Sequence, residues 1–495
     1  MRFSTAALAL LAITSATPAR AQSDAPAQRI RAYLDQCHAA HVCNGAYLVA
    51  RKGEPIFIGA VGDSGDAART PLTADNAFDI GSISKQFTAM AVLKLAAQHK
   101  VALTDKVAKH LPDFPFADVT LEQLLTHTSG IPDILDLYTA PLRAGPKEPI
   151  LGTDVVAMLA GSGRGPTSPP GAKFKYNNTG YMVLALVVQA VARQPLSDYL
   201  DRNFFKPLGM ANTRLRMPAN EAAIAHRALG FRPAADGSRR PLDQIPNFYV
   251  QGGGGIYSTV TDMLRWENAL TAGRVVPLAL WRTAITPVRF TDGTTYPYGY
   301  GLTLKPTKAG TARIFHGGDW RAFKANLAHY PDTDVTIVQL TNNAEDDTVD
   351  VNEVALAKLA VGEAVAPVPA LAGPALFERL DDLAGARAWF LAELAIRPAR
   401  YEIRETELNT LAYTLLASKQ LDKALLVFEL NTLAFPVSAN ALDGLADAYE
   451  AKGDLRSALE RMRAALAIEP ESKQLQAHAE MLEKKVQAGG SLAPQ

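Results

Sequence analysis

Cysteine is almost missing from this chain: 495 residues carry two, Cys37 and Cys43. With His38 and His41 beside them they supply no evident metal-ligand set. Net charge is missing as well, because Lys+Arg and Asp+Glu both total 50. That removes the overall basic footprint by which nucleic-acid binders are usually recognised, though not a local patch. Long apolar runs are missing beyond the N-terminus, where no stretch reaches the roughly 20 residues that a bilayer-spanning helix needs. What remains is a chain with 48% hydrophobic and 20% charged residues, the balance of a soluble globular protein. It is too long for one ordinary core, so two or more domains are expected.

The N-terminus has the pattern of a secretory signal: Arg2, then the apolar run Ala6 to Ile13, then Ala19-Arg20-Ala21 as a cleavage site before Gln22. Residues 1–21 are therefore read as a cleaved leader, and the mature protein as secreted or periplasmic with no membrane span. An exported chain meets an oxidising environment, where Cys37 and Cys43 would close a short disulfide loop. Whether the backbone brings them close enough is left open by spacing alone.

Residues 26–362 mix strand-like and helix-like segments. Ala46 to Ala50 and Ile56 to Gly62 look like strands joined at Lys52-Gly53-Glu54, and Ala325 to Tyr330 and Val335 to Thr341 flank the turn Pro331-Asp-Thr-Asp334. Strands at both ends with helices between predict an α+β domain, an antiparallel sheet flanked by helices. A Pro- and Gly-rich linker is placed at 363–374. Residues 375–490 read as all-α helical repeats. Leu408, Leu411, Ala412, Leu415, Ala424, Phe428 and Pro436 recur 34 residues later as Leu442, Leu445, Ala446, Tyr449, Ala458, Met462 and Pro470. A partial copy, Ala386, Phe390 and Pro398, precedes them, and Ser472 to Gln487 would cap the array. The period resembles the tetratricopeptide repeat. So few repeats bury little core, so the tail is expected to dock on the first domain or on a protein partner.

Three segments carry chemistry. In Gly81-Ser82-Ile-Ser-Lys85, Ser82 and Lys85 stand three apart and share a face of the predicted helix Ser82–Gln98. A serine hydroxyl needs a base, and a lysine at a helix N-terminus is pushed toward its neutral form. In Lys175-Tyr176-Asn-Asn178, an extended backbone would point Tyr176 and Asn178 into one cleft, where a lysine ammonium could depress the tyrosine pKa. In Ile314-Phe-His316-Gly-Gly318-Asp-Trp320, a strand would put His316 and Gly318 on one face and turn Asp319 away, with Gly318 letting a substrate backbone lie close. His127 is read as structural, capping its own turn after a helix starting at Thr120. Gly252 to Gly255 reads as a tight backbone approach, and Thr259 to Asp262 as a capping box.

In this order, Ser82-x-x-Lys85, Tyr176-x-Asn178 and His316-x-Gly318 resemble the penicillin-recognising serine hydrolases. The likeness is closest to the branch of class C β-lactamases, D-alanyl-D-alanine carboxypeptidases, D-aminopeptidases and related esterases. Leu124-Leu-Thr-His127-Thr-Ser-Gly130-Ile-Pro132, Pro170-Gly-Ala-Lys-Phe174 and Gly253-Gly-Gly-Ile-Tyr-Ser-Thr259 are similar to the same family, over roughly residues 28 to 350. The resemblance implies a β-lactamase/transpeptidase-like fold and an acyl-enzyme on Ser82. Lys85 and Tyr176 would share the base work, and Asn178, His316, Gly318 and Asp319 would bind substrate. The oxyanion would sit between the N–H groups of Ser82 and Asp319. No metal or organic cofactor is implied, and the substrate is a small molecule or peptide. Where β-lactamases usually carry lysine, this chain has His316, mostly neutral at pH 7. That favours esters, amides or D-amino-acid peptides over antibiotics. The competing reading is a cell-wall-fragment sensor with an inactive hydrolase shell, its repeat tail recruiting a partner.

Overall fold

The computed structural model of the protein describes residues 20–139, 148–233, 238–344, 349–396 and 401–490. The leader stretch up to Ala19 lies outside them. Among the described residues, no helix is long and apolar enough to cross a membrane.

The first domain is built on a five-stranded antiparallel sheet. Its strands are β1 (Gly45–Arg51), β2 (Glu54–Val61), β3 (Ile314–Trp320), β4 (Phe323–Tyr330) and β5 (Val335–Thr341), in the order β3-β4-β5-β1-β2. The first two strands thus pair with the last three across most of the domain. Side chains alternate along each strand, and both faces are covered. Ala46, Leu48 and Ala50 join one core with Leu327 and Leu340, while Tyr47 and Val49 join another with Val335 and Ile337. Helices α1 (Arg20–Ala39) and α5 (Val349–Ala360) cover the second face. Cys37 at the end of α1 is disulfide-bonded to Cys43, just before β1.

The helical lobe on the other face is organised around α2 (Ser84–Ala97), with α3 (Asn178–Ala192) and α4 (Val260–Thr271) packed nearby. Eleven residues of α2 are buried. A helix apolar on every side must lie inside a core rather than on its surface. Phe87 stacks on Trp266 of α4 at 4.0 Å between centroids, packing the first turn of α2 against α4. The predicted capping box at Thr259 forms only half: Thr259 Oγ1 accepts the Asp262 N–H, while the Asp262 carboxylate serves Asn212, Thr213 and Arg265 instead. A complete box occurs at Thr120 and Gln123.

The C-terminal region is all helical: α6 (Leu383–Ala395), α7 (Glu405–Ala417), α8 (Leu421–Ala434), α9 (Ala439–Ala451), α10 (Leu455–Ile468) and α11 (Lys473–Gly490). Helices α7 and α9 begin 34 residues apart, as do α8 and α10, and the recurring Leu408, Ala412, Ala424, Phe428, Ala446, Ala458 and Met462 are buried between them. Ala386 and Phe390 are buried too, while Pro398 lies outside the described residues. Residues 363–369 of the segment read as a linker carry no helix or strand. Ala370–Leu371 pairs in parallel with Tyr401–Glu402, and Ala372–Phe377 is a short helix with Ala372 and Gly373 buried. Pro374 falls in its first turn, where a missing N–H costs no helical hydrogen bond. The region faces the first domain across a cavity of about 480 Å³ lined by Cys43, Arg69 and Phe231 on one side and Phe377, Glu407 and Leu411 on the other.

Candidate active site

The turn that carries Ser82 and edge strand β3 approach closely because two glycines meet there. Gly81 has φ +50°, and a Cβ on it would come within 2.8 Å of the Asp319 nitrogen. A Cβ on Gly318 would come within 2.1 Å of the Ile80 carbonyl oxygen. Gly318 therefore makes room for the turn that carries Ser82, and not only for substrate as its position on β3 had suggested. Ser82 sits in the short 3-10 turn Gly81–Ile83 that leads into α2, so its backbone N–H and that of Asp319 lie on neighbouring segments.

Lys85 is completely buried beneath this turn. Its Nζ donates to Ser82 Oγ at 3.1 Å, Asn178 Oδ1 at 2.9 Å and the Gly253 carbonyl at 2.9 Å. Burial lowers its pKa to about 7, against the opposing charge of Asp133. The Gly-rich segment, read as a close backbone approach, thus delivers a carbonyl to the lysine.

Tyr176 departs from the sequence expectation. Tyr176 is 37% exposed, but the desolvation of its hydroxyl raises the phenol above the usual range, outweighing a hydrogen bond with Ser82, and the Asp133 charge pushes the same way. The lysine ammonium was expected to depress this pKa. It lies instead over the ring, 4.9 Å from the centroid, and its hydrogen bonds go elsewhere. Nor is the segment extended as far as Asn178. Asn177 caps α3, its side chain accepting the Gly180 N–H at 2.7 Å, and Asn178 opens the helix. Tyr176 and Asn178 still line one cavity.

His316 is buried on β3, and Asp319 points outward to pair with Lys324 at 2.6 Å, as the strand alternation predicts. His316 Nδ1 lies 2.6 Å from the Gly317 carbonyl and Nε2 3.0 Å from Tyr298 Oη. The same Oη lies 3.1 Å from His127 Nε2, and His127 Nδ1 accepts the Asn177 N–H at 3.1 Å. A carbonyl at one end and an N–H at the other fix both tautomers: His127 donates to Tyr298, which donates to His316. Both imidazoles are neutral, since burial and the Lys85 charge hold His316 at about 4 and His127 well below its usual value. His127 therefore braces the second motif against the third, a longer reach than capping its own turn.

Three further residues escaped the sequence reading. Asp133 accepts the Asn178 N–H at 2.8 Å and the Thr179 hydroxyl at 2.8 Å, anchoring the start of α3 beside Lys85. Its one signal was the family-like Gly130-Ile-Pro132 just before it. Asp79 accepts the Gly81 N–H at 2.8 Å, and burial raises its pKa to about 6. Tyr298 had no local signal at all, because its partners lie far away in sequence.

Ser82, Tyr176, Asn178, His316, Gly318 and Asp319 open on one cavity of about 710 Å³. Its walls are aromatic: Phe174 stacks on Tyr296 at 4.1 Å and Phe248 on Trp320 at 5.3 Å. Leu135, Gln244 and Phe248 line the same cavity; residues 140–147 and 234–237 lie outside the described residues.

The sequence pattern of the family described as Beta-lactamase matches residues 29–361, more than half of the chain. The chain belongs to the β-lactamase family. Within it, the chain is 29% identical over 315 residues to penicillin-binding protein 4* of Bacillus subtilis (strain 168), covering 62% of this chain and 69% of that protein. It is 28% identical over 300 residues to a D-aminopeptidase of Brucella anthropi, covering 60% of this chain and 56% of that one. The match thus spans little more than half of the aminopeptidase. A solved penicillin-binding protein from Bacillus halodurans aligns with TM-score 0.54 and 26% identity over 65% of this chain and 98% of that structure. The D-amino acid amidase of Ochrobactrum anthropi SV3 shares the fold with TM-score 0.57 at 24% identity, over 68% of this chain and 98% of that one. The family relationship and the fold cover the first domain. The helical tail lies beyond residue 361, where the family match ends.

Proposed function

We propose that the protein is an exported serine hydrolase that forms an acyl-enzyme on Ser82. The observation that carries this reading is the buried Lys85, with a pKa of about 7, donating to Ser82 Oγ at 3.1 Å. A lysine that loses its proton near neutrality can accept one from the serine as it attacks a carbonyl. Tyr176, held protonated beside Ser82, passes a proton to the leaving group. The N–H groups of Ser82 and Asp319 take the oxyanion, and Asn178 orients both Lys85 and substrate. Water then attacks the acyl group, giving its proton to the Tyr176 phenolate while Lys85 returns its own to Ser82 Oγ, which restores all three groups. No step calls on a metal or organic cofactor.

The substrate is an ester, an amide or a D-amino-acid peptide with an apolar or aromatic side chain. Neutral His316 offers no cation to a carboxylate, and the Phe174–Tyr296 and Phe248–Trp320 pairs offer flat apolar walls. β-Lactams are at most weak substrates on this reading. The relatives named for D-aminopeptidase and D-amino acid amidase activity support the same class. The leader pattern and the disulfide support export, and the 34-residue helical spacing supports a tetratricopeptide-like tail that binds a protein partner.

A fluorophosphonate probe should label Ser82, and Ser82→Ala should abolish labelling and turnover. Labelling that survives in Ser82→Ala overturns the assignment. An inert wild-type protein that still binds cell-wall fragments would favour the sensor reading. Cephalosporin hydrolysis at kcat/KM of roughly 10⁴ M⁻¹s⁻¹ or more would overturn the substrate class.

A further inference from the structure

Both halves of the proposed oxyanion hole are tied to one side chain outside all of the sequence motifs. Gln244 Nε2 donates to Asp79 Oδ2 at 2.8 Å and to Tyr257 Oη at 2.9 Å. Its Oε1 accepts the Trp320 indole N–H at 2.8 Å. Asp79 holds the Gly81 N–H through its other oxygen at 2.8 Å. Gly81 immediately precedes Ser82, and Trp320 immediately follows Asp319. One amide therefore spans from the nucleophile turn to the end of β3. The neighbouring Asp243 reinforces the link: its carbonyl accepts Arg321 Nε at 3.0 Å and its carboxylate pairs with Arg227 at 2.6 Å. Only a side chain with both a donor and an acceptor can serve a carboxylate on one side and an indole N–H on the other. Asp79 and Tyr257 are buried, so either would lose a partner inside the protein if the amide were removed.

We propose that Gln244 is a positioning residue that sets the separation of the Ser82 and Asp319 N–H groups. The inference rests on the acyl-transfer reading above. Oxyanion donors work only when they stand at hydrogen-bond distance from the developing charge, and losing one outright costs about 10²–10³ in kcat. Loosening the spacing between two donors costs part of that.

The test compares Gln244→Leu, which removes both functions at similar volume, with Gln244→Glu, which keeps an acceptor for Trp320 but sets an acid against Asp79. In Gln244→Leu, kcat for a p-nitrophenyl ester should fall about 10- to 100-fold with KM within about twofold. Affinity for an arylboronic acid, whose tetrahedral adduct occupies the oxyanion hole, should fall in parallel. Gln244→Glu should recover activity relative to wild type as pH falls and the Glu–Asp79 pair takes up a proton. A folded Gln244→Leu protein with unchanged kcat and boronate affinity, but a lower melting temperature, would reduce Gln244 to a structural brace and overturn the proposal. If Gln244→Leu fails to fold, Trp320→Phe removes the other end of the link and should lower kcat and boronate affinity in the same way; KM is not a readout there, because Trp320 also lines the cavity. Failure of the acyl-transfer reading is seen separately, as a wild-type protein that no fluorophosphonate labels. Even then, exchange of the Trp320 indole proton, followed by NMR, reads the link: faster exchange in Gln244→Leu upholds it, and unchanged exchange overturns it.

Discussion

The Nζ of Lys85 lies 4.9 Å from the centroid of the Tyr176 ring, over its face. All three ammonium hydrogens are already given to Ser82, Asn178 and Gly253, so none is aimed at the phenol oxygen. Lysine and tyrosine consequently move in opposite directions. Burial brings Lys85 down to about 7 and drives Tyr176 up.

The first prediction is a pH profile. In the proposed mechanism the neutral lysine is the base, and it accumulates as pH rises through about 7. kcat/KM for an uncharged ester should therefore climb through one ionisation near pH 7 and level off above it. The charge of Asp133, which accepts from Asn178 and Thr179 at the start of α3, opposes the lowering of the lysine pKa. Asp79, at about 6, adds a second loss on the acid side. A profile flat from about pH 5.5 to 8.5 would contradict lysine as the base.

Tyr176→Phe keeps the ring over Lys85 and removes only the hydroxyl. A phenol that stays protonated matters most where the leaving group needs a proton. Amide turnover should fall by about 10²–10⁴, and hydrolysis of a p-nitrophenyl ester, whose leaving group departs as an anion, by much less. Parallel kcat measurements on the two substrates decide this. Equal losses would instead make Tyr176 the base for Ser82.

His316→Lys tests what the neutral histidine excludes. A cation beside the cavity should raise kcat/KM for carboxylate-bearing β-lactams relative to a neutral ester, by about tenfold or more if the charge is half-shielded. The variant also leaves the Tyr298 hydroxyl without the acceptor it had at 3.0 Å. A stability loss of about 1–3 kcal/mol should accompany the gain. Urea unfolding and the substrate ratio together measure both effects. A ratio that does not move means the carboxylate subsite lies elsewhere.

What could be read from the sequence follows from how local each cause is. The strands β1, β2, β4 and β5 and helix α2 carry their own periodicity and turns, so their places were legible. Ser82 and Lys85 share one turn, and strand alternation alone set Asp319 outward. Tyr298 and Gln244 were illegible because their hydrogen-bond partners lie on distant segments. The Tyr176 pKa went the wrong way for a different reason. Proximity of a lysine can be guessed from motifs, but the sign of a shift depends on burial and on where the ammonium hydrogens point. Pro374, counted with the linker's breakers, stands in the first turn of a short helix, where proline is accepted.

The disulfide should be worth a measurable share of the first domain's stability. Cys37 and Cys43 are six residues apart and buried, and the loop they close corresponds to about 2 kcal/mol of lost unfolded-state entropy. Asn352 of α5 donates to Cys43 Sγ at 3.2 Å and accepts Tyr33 Oη–H at 2.8 Å, so the bond also anchors α1 to α5. A Cys37→Ala/Cys43→Ala protein should lose about that much in urea unfolding, with kcat little changed because the bond lies on the sheet face away from α2. An unshifted transition would mean the loop is already held by packing.

The tail should respond to pH through His478. Its Nδ1 lies 2.9 Å from Asp443 Oδ1, and its Nε2 lies 3.3 Å from Glu450 Oε2 and 3.6 Å from Asp447 Oδ1. All three acids come from α9, while His478 comes from α11. Asp447 is further held by the Tyr413 hydroxyl of α7 at 2.8 Å, and Glu450 is paired with Lys485 on α11. Burial pulls the imidazole pKa down, but the bonds to Asp443 and Glu450 and the charge of Asp447 outweigh it, and the net shift is upward. A raised pKa means that the folded state binds the proton more tightly than the unfolded one. The stabilisation is complete below the unfolded value of 6.5 and is lost as pH rises through the higher folded value. Amides of α11 in the full chain should therefore be better protected from hydrogen exchange at about pH 6 than at about pH 8.5, once intrinsic rates are allowed for. In His478→Gln that difference should vanish while protection in α2 stays the same. Equal protection of α11 at both pH values in the unmutated protein would show that its packing against α10, and not the imidazolium, holds the last helix in place.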